Sequence, residues 1–182
     1  MDKFEQKKLI EVVLYILNKT NGIDYYRLFK ILYLSERNHL ANWGSKIIMD
    51  NFVAMDKGPV PTELYDLVKG NNVEGEDFLK MFNNAVSYPS TIKYGLKANR
   101  KADEDYLSES EKEEIDKAIP IIQNESFGKI KEEAHDKAWF NAFYKSEYNR
   151  TLKPSEMAEV AGASKEMTDY VNEGICLINA LR

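Results

Sequence analysis

Apolar residues recur near the start of the chain at helical spacing. Leu9, Val12, Val13, Ile16 and Leu17 fall at i, i+3, i+4, i+7 and i+8, which predicts an amphipathic helix over residues 4–18 with a one-sided apolar stripe. Asn18 to Gly22 ends it, with Gly22 as a left-handed stop. Residues 24–42 show a different pattern. Tyr25, Tyr26, Leu28, Phe29, Ile31, Leu32, Tyr33, Leu34 and Leu40 cover most of the helical circumference. A helix apolar nearly all round is buried by neighbours on several sides, so this segment is expected to be the centre of the core. Asp24 is placed to cap it, and Trp43-Gly44 closes it. Glu36, Arg37, Asn38 and His39 form a polar cluster near its end, where Arg37 and His39 suit the negative pole of the helix dipole.

Beyond this helix the period shortens. Residues 45–57 read as one or two strands, with a β-like run at Phe52, Val53, Ala54 and Met55. Lys57, Gly58, Pro59, Val60 and Pro61 follow as a turn that proline makes stiff and that has little entropy left to lose on docking. A helix over about 63–69 carries Leu64, Tyr65, Leu67 and Val68 and stops at Gly70; Pro61 at its first position and Thr62 as its cap are competing starts. Asn71, Asn72 and Gly75 mark a loop, Phe78, Leu79 and Phe82 a helical turn, and Tyr88-Pro89-Ser90 a second turn. Thr91 to Leu96 reads as a strand with Ile92 and Tyr94 on one side. Its expected partner is the Phe52–Met55 run, in a small antiparallel element resting against a helix.

The stretch 100–117 holds eight acidic and four basic residues. Ser108 and Glu111 form the S-x-x-E pattern of a capping box, so the charge is read as a solvated helix start rather than a cation-binding surface. The helix beyond carries Ile115, Ala118, Ile119 and Ile122, and Pro120 is expected to kink or end it. Another helix spans Ser126 to Asp136, with Phe127, Ile130 and Ala134 inward. An aromatic cluster follows at Trp139, Phe140, Phe143, Tyr144 and Tyr148. Pro154 and Gly162 bracket a short helix, and Ser164 caps a last one with Met167, Tyr170, Val171, Ile178 and Leu181 on one face. The fold class is therefore mainly α: a helical domain around a central buried helix at about 24–42, with a small antiparallel β element at its edge.

Composition narrows the function classes. With 182 residues, 43% of them hydrophobic, the chain suffices for one domain with a real core. The net charge of −5 argues against a general nucleic-acid binder. The N-terminus has no apolar signal core, and no apolar run approaches the ~20 residues of a bilayer span, so a cytoplasmic location is expected. Cys176 is the one cysteine; in GICLINAL it reads as a small buried thiol.

The chain carries few signatures of chemistry. The chain has no G-x-G-x-x-G, no G-x-x-x-x-G-K-[ST] and no G-x-S-x-G. His39 and His135 stand apart, without metal-ligand spacing, so neither a metal nor another cofactor is expected. His135 and Trp139 are i, i+4, on one face if helical. The pair can serve recognition, but an imidazole bonded to a backbone carbonyl and packed on an indole is the favoured reading. Lys129, Lys131, Lys137, Lys145 and Arg150 are interleaved with the aromatic cluster, as in single-strand binders, but Glu132, Glu133, Asp136 and Glu147 blunt their field.

YRLFKILYLSERNHLANWG, FVAMDKGPVPTELYDLVKG, LSESEKEEID and HDKAWF together resemble the Panacea domain family, the SocA-like antitoxins. The carrying residues are Leu32, Tyr33, Leu34, Arg37, Gly44, Gly58, Pro59, Val60, Pro61, Leu64, Tyr65, Asp66, Leu107, Ser108, Glu111, His135, Ala138 and Trp139. Lys137 stands where the family usually has proline before the alanine–tryptophan pair. The resemblance covers residues 1–150, leaving 151–182 as a C-terminal helical extension packed on the same domain. It implies a mostly helical, non-enzymatic antitoxin of a bacterial or phage toxin–antitoxin pair. Its partner would be a cognate protein toxin, which in at least one branch is delivered to a protease by the antitoxin acting as adaptor. Self-association is left open. Lys57, Gly58, Pro59, Val60, Pro61, Tyr65, His135 and Trp139 are the candidate partner-binding residues. The alternatives are a transcriptional regulator, weakened by the acidic balance, and an enzyme built on Glu36, Arg37, His39 and His135.

Overall fold

Helix α1 (Lys3–Thr20) and, after a two-residue strand β1 (Ile23–Asp24), helix α2 (Tyr25–Trp43) form the centre of the molecule. A computed structural model describes residues 1–71, 75–145 and 150–180, the side chains of 178 and 179 excepted. Asp2 and Glu5 close a capping box at the start of α1. Every residue from Leu9 to Leu17 is buried, so α1 carries no single stripe but is enclosed like α2. Its one buried acid, Glu11, accepts from both terminal nitrogens of Arg100 and from the Asp103 N–H. As expected, α2 is capped by Asp24, which accepts from the Arg27 N–H at 3.0 Å, and ends at Gly44 in the left-handed region.

The expected pairing of the Phe52–Met55 run with residues 91–96 is not formed. Strand β2 (Phe52–Met55) pairs instead with β3 (Gly58–Pro61), so most of the presumed turn is itself a strand and only Asp56-Lys57 turns. Pro59 and Pro61 occupy alternate positions of β3, which leaves Gly58 and Val60 to supply the ladder N–H groups. The open edge of β2 is covered by residues 150–152: the Ala54 N–H donates to Arg150 and the Leu152 N–H to Phe52. The second sheet has the order β1-β5-β4, from β4 (Val86–Ser87) and β5 (Gly95–Ala98), with Ile23 opposite Leu96 and Val86 opposite Ala98. Only the last residues of the expected 91–96 strand are extended; Tyr94 turns with φ of 59°.

Helix α3 (Thr62–Lys69) has neither expected start. Pro61 precedes it without a side-chain bond, and Asp50 caps it from twelve residues away. Helix α4 (Glu76–Ala85) follows, and a one-turn 3-10 helix (Glu104–Tyr106) precedes α5 (Glu109–Gln123). The Ser108–Glu111 capping box is present, and α5 runs on through the exposed Pro120 rather than ending there. Helices α6 (Phe127–Ala134) and α7 (Lys137–Tyr144) are separated by His135-Asp136, so His135 and Trp139 do not share a helix. Helix α8 (Pro154–Val160) packs on α2 and α7, and α9 (Lys165–Ala180) packs on α8, with Tyr170 against Gly44. Cys176 is exposed, not buried, because α9 covers the body with one face only. Expectations for Asn72, Glu147, Tyr148 and Leu181, and for the side chain of Ile178, lie outside the described residues. The protein is mainly α, and no helix among the described residues is long and apolar enough to cross a membrane.

Candidate functional site

A groove of about 750 Å³ opens where the first turns of α2 meet the β2–β3 hairpin. Tyr25, Tyr26, Phe29 and Lys30 form its α2 wall, and Met55, Lys57 and Val60 its hairpin wall. Tyr65 of α3, Ile92 to Tyr94 and Phe127 of α6 complete it. The rings touch in a chain: Tyr94 to Tyr25 at 5.7 Å between centroids, Tyr25 to Phe29 at 5.6 Å, Phe29 to Tyr65 at 6.3 Å. Across from them Tyr26 stacks on Phe127 at 4.4 Å. Tyr94 holds its place because its left-handed backbone offers the carbonyl oxygen to the Tyr25 N–H.

Lys30 lies at the base of this groove and is 0% exposed. Its Nζ donates to the Pro59 carbonyl at 2.6 Å and lies 4.9 Å from the Tyr26 ring centroid. Among the described residues no carboxylate forms an ion pair with it. Desolvation therefore lowers its ammonium to about 7. Gly58 makes room for it: a Cβ there would lie 2.9 Å from Lys30 Cε, at a backbone φ of +100° that side chains rarely adopt. The Tyr26 hydroxyl is buried without a hydrogen-bond partner among the described residues, and desolvation followed by the Asp24 charge pushes it up to about 12.

The same face of α2 continues away from the groove at helical spacing, Tyr26, Lys30, Tyr33, Arg37. Tyr33 donates to Asp136 Oδ2 at 2.6 Å, and Arg37 pairs with Asp136 and Glu133. Asp136 Oδ1 also accepts from the Trp139 N–H, which caps α7. Trp139 donates through Nε1 to the Met55 carbonyl at 3.0 Å and is 6% exposed. His135 stacks on it at 3.6 Å and 12°. The backbone-carbonyl bond expected for this imidazole is missing at Nε2, which is buried without a partner among the described residues; burial, then Lys131 and Lys30, lowers the imidazole's pKa.

The hairpin thus separates the candidate residues into two groups. Lys57, Val60 and Tyr65 line the groove. Gly58 and Pro59 stand behind its wall on Lys30, and Pro61 pairs with Phe52 beside the start of α3. His135 and Trp139 lie on the far side of the hairpin, joined to it at Met55. Sequence reasoning missed the α2 wall, because Tyr25, Tyr26 and Phe29 read as core, and it passed over Lys30. The available signal was a lysine inside the otherwise apolar run LFKILYL.

The other polar residues of α2 secure the loop leading to the hairpin. Glu36 is fully buried and its Oε2 accepts from the Ile47 and Ile48 N–H groups. His39 bonds the Ser45 carbonyl through Nδ1 and Ser110 through Nε2. Desolvation pushes the Glu36 carboxyl up to about 7, against the Lys46 charge and the two backbone donors. Between its ordinary 4.5 and about 7 the unfolded chain has released this proton and the folded chain keeps it, so this contribution to stability falls as pH rises. Between about 7 and 10.5 the unfolded chain holds the Lys30 proton and the folded chain has lost it, so that contribution rises with pH. Urea unfolding across this range is expected to show Glu36→Gln losing the acid-side decline and Lys30→Met losing the alkaline-side rise. Parallel profiles in wild type and variants would refute this assignment.

These features define a helical protein with a hairpin-backed aromatic groove. The chain belongs to the antitoxin SocA-like, Panacea domain family, whose match spans residues 28–140. That span runs from α2 into α7 and contains the hairpin, α3 and the His135–Trp139 stack. No curated protein and no solved structure matches the chain.

Proposed function

We propose that this protein is the antitoxin of a toxin–antitoxin pair, acting in the cytoplasm without catalysis of its own and neutralising a cognate protein toxin by direct binding. The observation that carries this reading is the family match across residues 28–140. The groove offers what a protein partner needs: large rings already held in place, beside a hairpin stiffened by Pro59 and Pro61. Lys57, Val60 and Tyr65 are the contacts; Gly58, Pro59 and Pro61 set the backbone that presents them, and His135 and Trp139 brace the hairpin from behind.

Co-expression with the adjacent reading frame tests the proposal. That frame alone is expected to arrest growth, and this protein is expected to restore it and to copurify with the product. A frame that is harmless alone, or still toxic in the presence of this protein, overturns the reading for that pair. A fall in toxin level on co-expression, dependent on a host protease, would assign neutralisation to delivery rather than blocking. Tyr65→Ala is expected to weaken the complex at least tenfold, measured by titration calorimetry, with little change in the urea midpoint because Tyr65 is only half-buried.

A further inference from the structure

The charge around the groove indicates what enters it. Lys57 and Lys93 are exposed in its lining, and the exposed Lys69 stands beside them over two of its rings. Lys69 lies 4.6 Å from the Tyr25 ring centroid and 5.5 Å from that of Tyr65, and its Nζ donates to the Tyr25 hydroxyl. Lys93 lies 5.4 Å from the Tyr94 centroid. None of the three forms an ion pair among the described residues, and Lys30 beneath them has no counter-ion there either. Of the two acids in the lining, Asp24 is engaged by Arg27 and by the cap of α2, which leaves Asp56 on the turn. A chain of net charge −5 therefore concentrates unpaired cations and open aromatic faces at one place.

We propose that this groove receives an acidic segment of the toxin in which Asp or Glu alternates with aromatic or aliphatic residues, an inference that rests on the antitoxin reading above. The apolar side chains lie along Tyr25, Tyr65 and Tyr94, and the carboxylates meet Lys57, Lys69 and Lys93. A long polyanion such as RNA matches the rim but not the acidic remainder of the surface, including the run from Asp103 to Asp116. A short acidic segment of a folded partner meets the rim alone.

The test uses the full chain and its triple variant Lys57→Glu, Lys69→Glu, Lys93→Glu, with Lys129→Glu, Lys137→Glu, Lys165→Glu as a control of equal charge away from the groove. Co-expressed with the toxic neighbouring frame, wild type and control are expected to neutralise, and the groove variant to fail with an unchanged urea midpoint. Neutralisation by the groove variant overturns this inference and leaves the antitoxin reading standing. Failure of wild type itself overturns the antitoxin reading, and the groove is then judged by direct selection from a displayed random-peptide library. Selected peptides are expected to be enriched in Asp and Glu beside aromatic residues and to lose at least tenfold in affinity on the groove variant. Peptides without acidic excess, or tighter binding of poly-uridine RNA, overturn it.

Discussion

Asp50→Ala is expected to destabilise the protein by roughly 3–5 kcal/mol, the range for stranding buried groups that met a charge. Asp50 is 0% exposed. Its Oδ1 accepts from the Asn51 N–H, the Thr62 hydroxyl and the Glu63 N–H, and its Oδ2 from the Leu64 N–H at 3.0 Å. Burial raises this carboxyl above its ordinary value, while the Leu64, Glu63, Thr62 and Asn51 donors pull it back down. Alanine leaves the first turn of α3 without acceptors, because Pro61 offers no side-chain cap. The damage reaches the groove through Tyr65, one residue beyond the capped Leu64. Urea unfolding followed by circular dichroism measures the loss, and hydrogen exchange is expected to show the α3 amides opening first. Asp50→Asn is expected to fall between wild type and alanine, since it keeps Oδ1 but turns an NH₂ toward the Leu64 N–H. A loss under about 1 kcal/mol in the alanine variant would remove Asp50 as the organiser of α3.

Asp136→Ala is expected to cost a similar amount, about 3–5 kcal/mol, by a different route. One carboxylate joins three partners there: the Tyr33 hydroxyl, the Arg37 guanidinium and the Trp139 N–H. Tyr33 is 0% exposed, and burial first, then the Asp136 charge and hydrogen bond, hold its hydroxyl well above the usual phenol range. Alanine strands that hydroxyl, leaves Arg37 with Glu133 alone and removes the cap of α7. Trp139 loses its anchoring turn, so near-ultraviolet circular dichroism is expected to report a loosened His135–Trp139 stack along with the lower urea midpoint. Asp136→Asn keeps an acceptor for the Trp139 N–H and is expected to lose about half as much. A near-UV spectrum unchanged by Asp136→Ala would separate the stack from this carboxylate.

Family motif residues need not be contact residues. Leu64, Gly58, Tyr33, Arg37 and Trp139 carry the resemblance, and each has a packing or bonding role inside the fold. Tyr65 and Val60 are the motif residues that also reach the groove.

The legible part of this protein was local. Asp24, Ser108 with Glu111, Ser126 and Ser164 bond N–H groups three residues on, so their side chains announce the helices that follow. Gly44 and Gly70 mark helix ends because they take the left-handed conformation. The encircling apolar pattern of residues 25–40 identified the buried helix, and the motifs pointed to the family that the chain belongs to.

What only the tertiary structure decided depends on groups brought together from far along the chain. The pairing of β2 was decided against residues 91–96 because a two-residue turn brings Gly58 and Val60 to it at far lower loop-closure cost. Asp50 could not be read as the cap of α3 from a spacing of twelve to fourteen residues. Lys30 gains its character from Pro59, twenty-nine positions away, and from burial that no charge offsets. The groove itself joins α2, the hairpin, α3, residues 91–94 and Phe127, and its surplus of unpaired cations exists only once those five segments meet.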